Sequence, residues 1–186
     1  MVLAIIAVLT VLTTVSFRGI TSSTDMTRAS DDIANVVTLA AQRAATFNRQ
    51  TSIRFLSLSP NSTGPYVAYQ FWEQPDSANS GSWQVVEPIR MLPADIVVTN
   101  NTAFSTFLTR NSSTTAMTSS TGTVWNYAEL YFAPDGSLVA ATGQTSIALI
   151  ASNNPAGVSG IVSGLPPNFA VVDISPLHSI PVIYRP

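Results

Sequence analysis

The first charge in this chain is Arg18 and the first proline is Pro60. Those two positions constrain the fold more than any motif does. Proline removes a backbone donor and breaks helices, so its absence leaves the opening stretch free to run as one long helix. The uncharged segment from Met1 to Phe17 carries Val2, Leu3, Ile5, Ile6, Val8, Leu9, Val11, Leu12, Val15 and Phe17, and a helix apolar on every side needs an apolar environment. Crossing the hydrocarbon core of a bilayer takes about 20 apolar residues at a rise of about 1.5 Å each. Seventeen fall slightly short, so part of the span is expected upstream of Met1. A cleavable signal peptide is the alternative. No basic region precedes Val2, which argues against it, although the small residues around Thr14 and Ser16 suit a cleavage site.

Beyond Arg18 the pattern changes. Met26, Ala29, Ile33, Val36, Ala40, Ala44 and Phe47 recur at steps of three and four, which places them on one helical face. Asp25, Arg28, Asp32, Asn35, Gln42 and Arg49 fall largely off that stripe, and Arg28 to Asp32 has the spacing of a surface ion pair. The expected organisation is therefore an apolar half-helix at 1–23, an amphipathic half at 24–50 and a globular head at 51–186. The stripe is the surface on which the helix packs against the head.

The head reads as β. Runs at 51–58, 66–74, 83–92, 95–99, 124–133, 137–142, 145–151, 169–175 and 180–185 are rich in β-branched and aromatic residues and bounded by Pro, Gly and Asn. Pro134-Asp135-Gly136 is a tight-turn signal joining two of them. The Ser/Thr/Gly/Pro-rich stretches 100–123 and 152–168 are expected to be long surface loops. The fold class that follows is α+β, a long N-terminal helix packed on an antiparallel β-sheet head.

Composition excludes more chemistry than it suggests. Eight Arg and no Lys stand against ten acidic residues, so no basic patch recruits nucleic acid. With no Cys there is no disulfide, thiolate metal site or cysteine nucleophile. His178 is the single histidine and sits in a turn-like sequence, Ser-Pro-Leu-His-Ser-Ile-Pro, with no Gly-x-Ser-x-Gly elbow anywhere. Asp31 and Asp32 adjoin and point to different azimuths of a helix, so they read as solvated face rather than metal ligands. Neither a Gly-x-Gly-x-x-Gly nor a Walker phosphate loop occurs. Trp72, Trp83 and Trp125 suit either strand-borne core positions or a sugar-stacking surface. No catalytic, metal or cofactor-binding residue is expected, and the chain is read as non-enzymatic, without a small-molecule substrate.

The opening "MVLAIIAVLTVL", the polar helix after it and "LAAQRAATFNRQTSIRF" resemble the N-terminal region of type IV pilins and type II secretion pseudopilins, above all the minor GspH/FimT-like group. "YFAPDGSL" at 131–138 resembles a hairpin common in such heads. The ending "VVDISPLHSIPVIYRP" is similar to that of the pseudopilin-like cassette protein D family (Verru_Chthon type). The resemblance covers residues 1–55 well and the rest loosely. It implies a structural subunit of a type II secretion or type IV pilus-like filament. Such a subunit sits in the inner membrane, single-pass, with its head in the periplasm, and its partners are other pilin or pseudopilin subunits and an inner-membrane assembly platform. It also implies that the family's cleavage glycine, phenylalanine and glutamate lie before Met1. The alternative is a membrane-tethered β-domain that recognises a glycan or a protein partner.

Overall fold

The computed structural model describes residues 2–58, 64–75, 83–111, 116–118, 122–139, 143–152, 165–166, 168–176 and 178–185, with backbone alone at 2–21 and 110–111. Helix α1 runs unbroken from Val2 to Phe47, about 70 Å at 1.5 Å per residue. It ends where Asn48 turns left-handed, with φ of 51°, and the Arg49 N–H donates back to the Ala44 carbonyl at 3.1 Å. That is a Schellman ending, and Asn is one of the few side chains that enter the left-handed region readily. The reversal delivers the chain directly into the first strand. There the Thr51 hydroxyl donates to the Ala40 carbonyl at 2.9 Å.

Ten strands follow: β1 Thr51–Ser57, β2 Ala68–Glu73, β3 Gln84–Val85, β4 Arg90–Met91, β5 Ile96–Val98, β6 Ala116–Thr118, β7 Val124–Phe132, β8 Thr145–Ala151, β9 Phe169–Ile174 and β10 Pro181–Tyr184, with the single turn α2, Leu108–Asn111, between β5 and β6. All pairings are antiparallel. One sheet has the order β3-β2-β1-β7-β6, with β4 also on β2; the other has the order β10-β9-β8-β5. The sheets are joined by the Tyr66–Val98 bridge, whose two hydrogen bonds are each 2.9 Å. Helix α1 contacts strands of both.

Alternation decides which side chains face the helix. Ile53 and Phe55 of β1, Tyr69 and Phe71 of β2, and Ala128, Leu130 and Phe132 of β7 form one core with Ile147 and Leu149 of β8 and Ala170, Val172 and Ile174 of β9. Into it α1 sends Met26, Ala29, Ile33, Val36, Ala40 and Ala44, all buried, together with Ser30, Val37 and Ala41, which widen the stripe. Phe47 departs from the expected packing face: it is 54% exposed. The chain reverses at the next residue and the core ends at Ala44, so the Phe47 ring lies outside it with the Arg43 guanidinium 5.3 Å from its centroid.

Other differences have equally local causes. The expected strand 83–92 is two short ones pairing with opposite ends of β2, β3 with Trp72–Glu73 and β4 with Ala68–Tyr69. Pro88 lies between them and has no N–H to give a ladder. Stretch 100–123 is not merely a surface loop. Ser105, Phe107 and Leu108 are buried, and the Phe107 ring lies 4.9 Å from that of Phe55 and 6.4 Å from that of Tyr66. Of the expected strand 137–142, Leu138 forms a single bridge to Phe132, and 140–142 lie outside the described residues, as do most of 152–168. The Pro134–Gly136 turn is closed by Gly136 N–H to the Ala133 carbonyl at 2.8 Å, while Asp135 Oδ1 accepts from Ser137 N–H at 2.9 Å. The Ser137 hydroxyl donates to the same oxygen at 2.6 Å, and that bond first, then the one from the N–H, holds the Asp135 carboxyl below its usual range.

Two predictions test this packing in the chain shortened to 22–186, which keeps every described tertiary contact. Ile33→Ala should cost about 2–5 kcal/mol in urea melts, whereas Phe47→Ser should stay within about 0.5 kcal/mol. Gly136 has φ of +82°, and a Cβ there would stand 3.0 Å from the Ala41 carbonyl oxygen. Gly136→Ala should therefore destabilise by more than about 1 kcal/mol, while the exposed Gly122→Ala, with open space around its Cβ position, should show the backbone part of that loss alone.

Candidate functional site

Two surfaces can carry function: the outward side of α1 and the face of the larger sheet that points away from it. On α1, Thr24, Arg28, Asp31, Asn35, Leu39, Gln42 and Thr46 form an exposed stripe at steps of three and four. Arg28 and Asp32 do not pair among the described residues. The inward side is tied to the head at both ends of the contact. Near the top, Asn168 Nδ2 donates to Ser22 Oγ at 3.1 Å, and the Arg185 guanidinium reaches the Thr27 hydroxyl and the Ser23 carbonyl. At the bottom, Arg43 pairs with Glu73 at 2.8 Å and Arg49 approaches the same carboxylate at 4.0 Å.

The apolar residues singled out in the sequence, Val2, Leu3, Ile5, Ile6, Val8, Leu9, Val11, Leu12, Val15 and Phe17, lie in α1 but outside the residues whose side chains are described. Among the described residues no helix is long and apolar enough to cross a membrane.

On the far face of the larger sheet, Arg54 of β1 is buried between aromatic rings. Its guanidinium lies 3.9 Å from the Trp72 ring centroid and 4.7 Å from that of Tyr127. Its Nε donates to Glu129 at 2.5 Å, and the two side chains are 11% and 5% exposed. The Tyr131 hydroxyl donates to the other Glu129 oxygen. Burial first, and then that bond to a carboxylate, push the Tyr131 hydroxyl far above its ordinary range. The two opposite charges are thus matched beneath the surface.

Above this layer lies a groove of about 610 Å³. Gln70, Trp72 and Trp125 line it on the sheet side, with Val85, Pro88, Ile89, Met91, Met117, Thr118 and Thr123 around them. Gln70 Oε1 and the indole nitrogens of Trp72 and Trp125 are buried without a hydrogen-bond partner. Trp125 is buried, Trp72 carries Arg54 against its ring, and the Trp83 ring packs 5.7 Å from that of Tyr131. The groove went unrecognised in the sequence, although strands reading Tyr69-Gln70-Phe71-Trp72 and Trp125-Asn126-Tyr127-Ala128 signal large side chains on both faces.

Among the described residues no group of three or more His, Asp or Glu is placed to hold a metal ion. His178 is exposed in the turn before β10, Asp31 is exposed and Asp32 half-buried. Burial raises the Asp173 carboxyl above its ordinary range.

No family model matches the chain, and no curated protein does. Among solved structures it is similar to the type IV minor pilin FimU of Pseudomonas aeruginosa (strain PAO1), at 14% identity over 90% of this chain and 92% of that one, with a TM-score of 0.49. A likeness that distant carries no conclusion about role.

The Arg54–Glu129 pair makes a direct test of the buried layer. Arg54→Met alone should cost about 3–5 kcal/mol in urea melts, because it strands a buried carboxylate, and adding Glu129→Leu should recover most of the loss.

Proposed function

We propose that this chain is a structural subunit of a type IV pilin-like filament, of the minor pseudopilin kind, serving a type II secretion or pilus system. The observation that carries the reading is the division of α1. From Ser22 onward the helix is sewn to the head and supplies its core, while the preceding residues form a helical extension of about 30 Å at 1.5 Å per residue. That extension carries no charge before Arg18. A helix apolar all round suits a bilayer before assembly and a bundle of equivalent helices afterwards, since both surroundings are apolar. The head then faces the periplasm, with the outward stripe of α1 available to neighbouring subunits. The resemblance of residues 1–55 to pseudopilins supports the same assignment. The chain's partners in this reading are other pilin-like subunits and an inner-membrane assembly platform, and it performs no catalysis.

Fractionation with crosslinking of wild type, Ile6→Arg and Leu9→Ser tests it. A charge at position 6 costs about 2.5–3.5 kcal/mol on insertion scales and recurs in every subunit of a filament core, so Ile6→Arg should abolish assembly. Leu9→Ser should stay in the membrane while its crosslinked oligomers decline, because one hydroxyl can bond back to the helix backbone but packs less well. Absence of oligomers from the wild-type chain in cells producing the complete system would overturn the reading.

A further inference from the structure

We propose that the upper flank of α1, where the helix leaves the head, binds a zwitterionic lipid headgroup: a phosphate ester that carries an ammonium group. The inference rests on the reading that the residues before Ser22 are set in a bilayer, and it names the lipid chemistry that the head meets there.

The arginines fall into two groups. Among the described residues Arg43, Arg49, Arg54 and Arg90 each face a carboxylate at 4.0 Å or less, while Arg28 and Arg185 form no ion pair. Arg185 lies against the Ser23–Thr27 side of α1, and its partners there are the Thr27 hydroxyl, the Ser23 carbonyl and the Ser23 hydroxyl, all of them neutral. A guanidinium has five N–H donors, so those three bonds leave two uncommitted. Asp25 stands about 160° around the helix from both Ser23 and Thr27 at 3.6 residues per turn, on the opposite side.

Arg28 reaches the same flank from the other side. With Ser23, Thr24, Thr27, Asp31 and Asp32 it lines an open cleft of about 470 Å³. Charge in and beside this cleft is ordered along the helix: the two guanidinium groups stand by residues 23–28, and Asp31 and Asp32 come one turn farther from Val2. The four charges sum to zero. A simple anion drawn to the arginines would also meet two carboxylates, and a simple cation would meet the reverse. A phosphate followed by an ammonium group satisfies both, because guanidinium donates to phosphate oxygens and a carboxylate accepts from an ammonium.

The order also runs the way a phospholipid does. The sequence is uncharged to Phe17, and Ser23 stands six residues on, about 9 Å at 1.5 Å per residue. The headgroup layer outside the hydrocarbon is about 5–8 Å deep, and helical side chains lean toward the N-terminus, here toward the bilayer. In a headgroup the phosphate adjoins the glycerol and the ammonium is the free end. The phosphate therefore meets Arg28 and Arg185, and the ammonium extends toward Asp31 and Asp32. Tyr184, next to Arg185 and 54% exposed, adds a ring of the kind that collects at membrane interfaces. A free phosphate ester offers the same two charges without the acyl chains that would hold it at this depth.

The test uses the full chain in detergent micelles, titrated with phosphatidylethanolamine, phosphatidylglycerol or soluble glycerophosphoethanolamine, with bound lipid counted by native mass spectrometry. Flotation with vesicles of phosphatidylethanolamine and phosphatidylglycerol in equal parts checks that the chain enters a bilayer. Phosphatidylethanolamine should be held at least tenfold more tightly than phosphatidylglycerol, and the soluble ester should displace it only at a hundredfold or greater excess. Arg28→Gln and Arg185→Gln should each weaken its retention at least fivefold; Arg28, exposed and unpaired, carries the test if Arg185→Gln loosens β10. Asp31→Asn with Asp32→Asn should abolish the preference for the ethanolamine lipid while phosphatidylglycerol is still bound. The proposal is overturned if the two lipids are held alike by the parent, if the soluble ester displaces the lipid at equal concentration, or if Arg28→Gln leaves retention unchanged, including the case where it lowers crosslinked oligomers instead and so marks a contact between subunits. A chain that floats with the vesicles yet shows no lipid preference sinks this proposal alone, whereas one that does not float sinks the membrane stage of the filament reading with it.

Discussion

One helical face has to satisfy two sheets at once, and the rest of the structure depends on that packing. Among the described residues the larger and smaller sheets are hydrogen-bonded to each other at few points: the Tyr66–Val98 bridge, the hairpin tip where Ser179 Oγ donates to the Gly136 carbonyl at 2.6 Å, and Leu138 N–H on the Pro176 carbonyl at 3.1 Å. Between them lies the stripe of α1. Ala29, Ala40, Ala41 and Ala44 let the strands come close, while Met26, Ile33, Val36 and Val37 fill the space between facing side chains. Burying each larger apolar side chain contributes about 1.5–3 kcal/mol. Without that helix both sheets would expose their apolar inner faces to water.

This is why the helix was the most legible element in the sequence. An apolar period of 3.6 in a proline-free stretch has few alternatives, and the inward residues from Met26 to Ala44 can be named from spacing alone. The stripe's width is less legible, because Val37 and Ala41 fall between the strict steps. Phe47 shows the opposite limit: its spacing is right, but the pattern does not reveal where the core ends. Strand existence was readable from β-branched and aromatic runs, whereas the division at Pro88 depends on which ends of β2 are left to be paired. The burial of Phe107 was hidden by the Ser and Thr residues around it, although three large apolar residues within Phe104–Leu108 are unusual for a solvated loop.

The groove is a different sort of omission. Its members come from β2, β3, β4, β6 and β7, and nothing local in the sequence brings those five together; strand order does. Once β1 lies at the centre of the larger sheet, its far-side Arg54 needs a counter-charge and cover, which Glu129 and the neighbouring rings provide. The same layer that shields this ion pair supports the indoles above it.

The clasp at the top of α1 joins residues from opposite ends of the chain. Arg185 reaches Thr27 across 158 positions, and Asn168 reaches Ser22 across 146. Arg185 directly follows β10, which is made after every other described strand. Until it emerges, the smaller sheet lacks β10, and α1 is held by its buried stripe, by the Arg43–Glu73 pair and by the Thr51 and Asn48 contacts at its lower end, but not by the clasp at the top. Contacts so distant in sequence form late, because the loop between them must first be closed. The clasp on the upper part of α1 therefore closes only after β10 has been made, so a nascent molecule still lacking it cannot present that end of the head in its finished form.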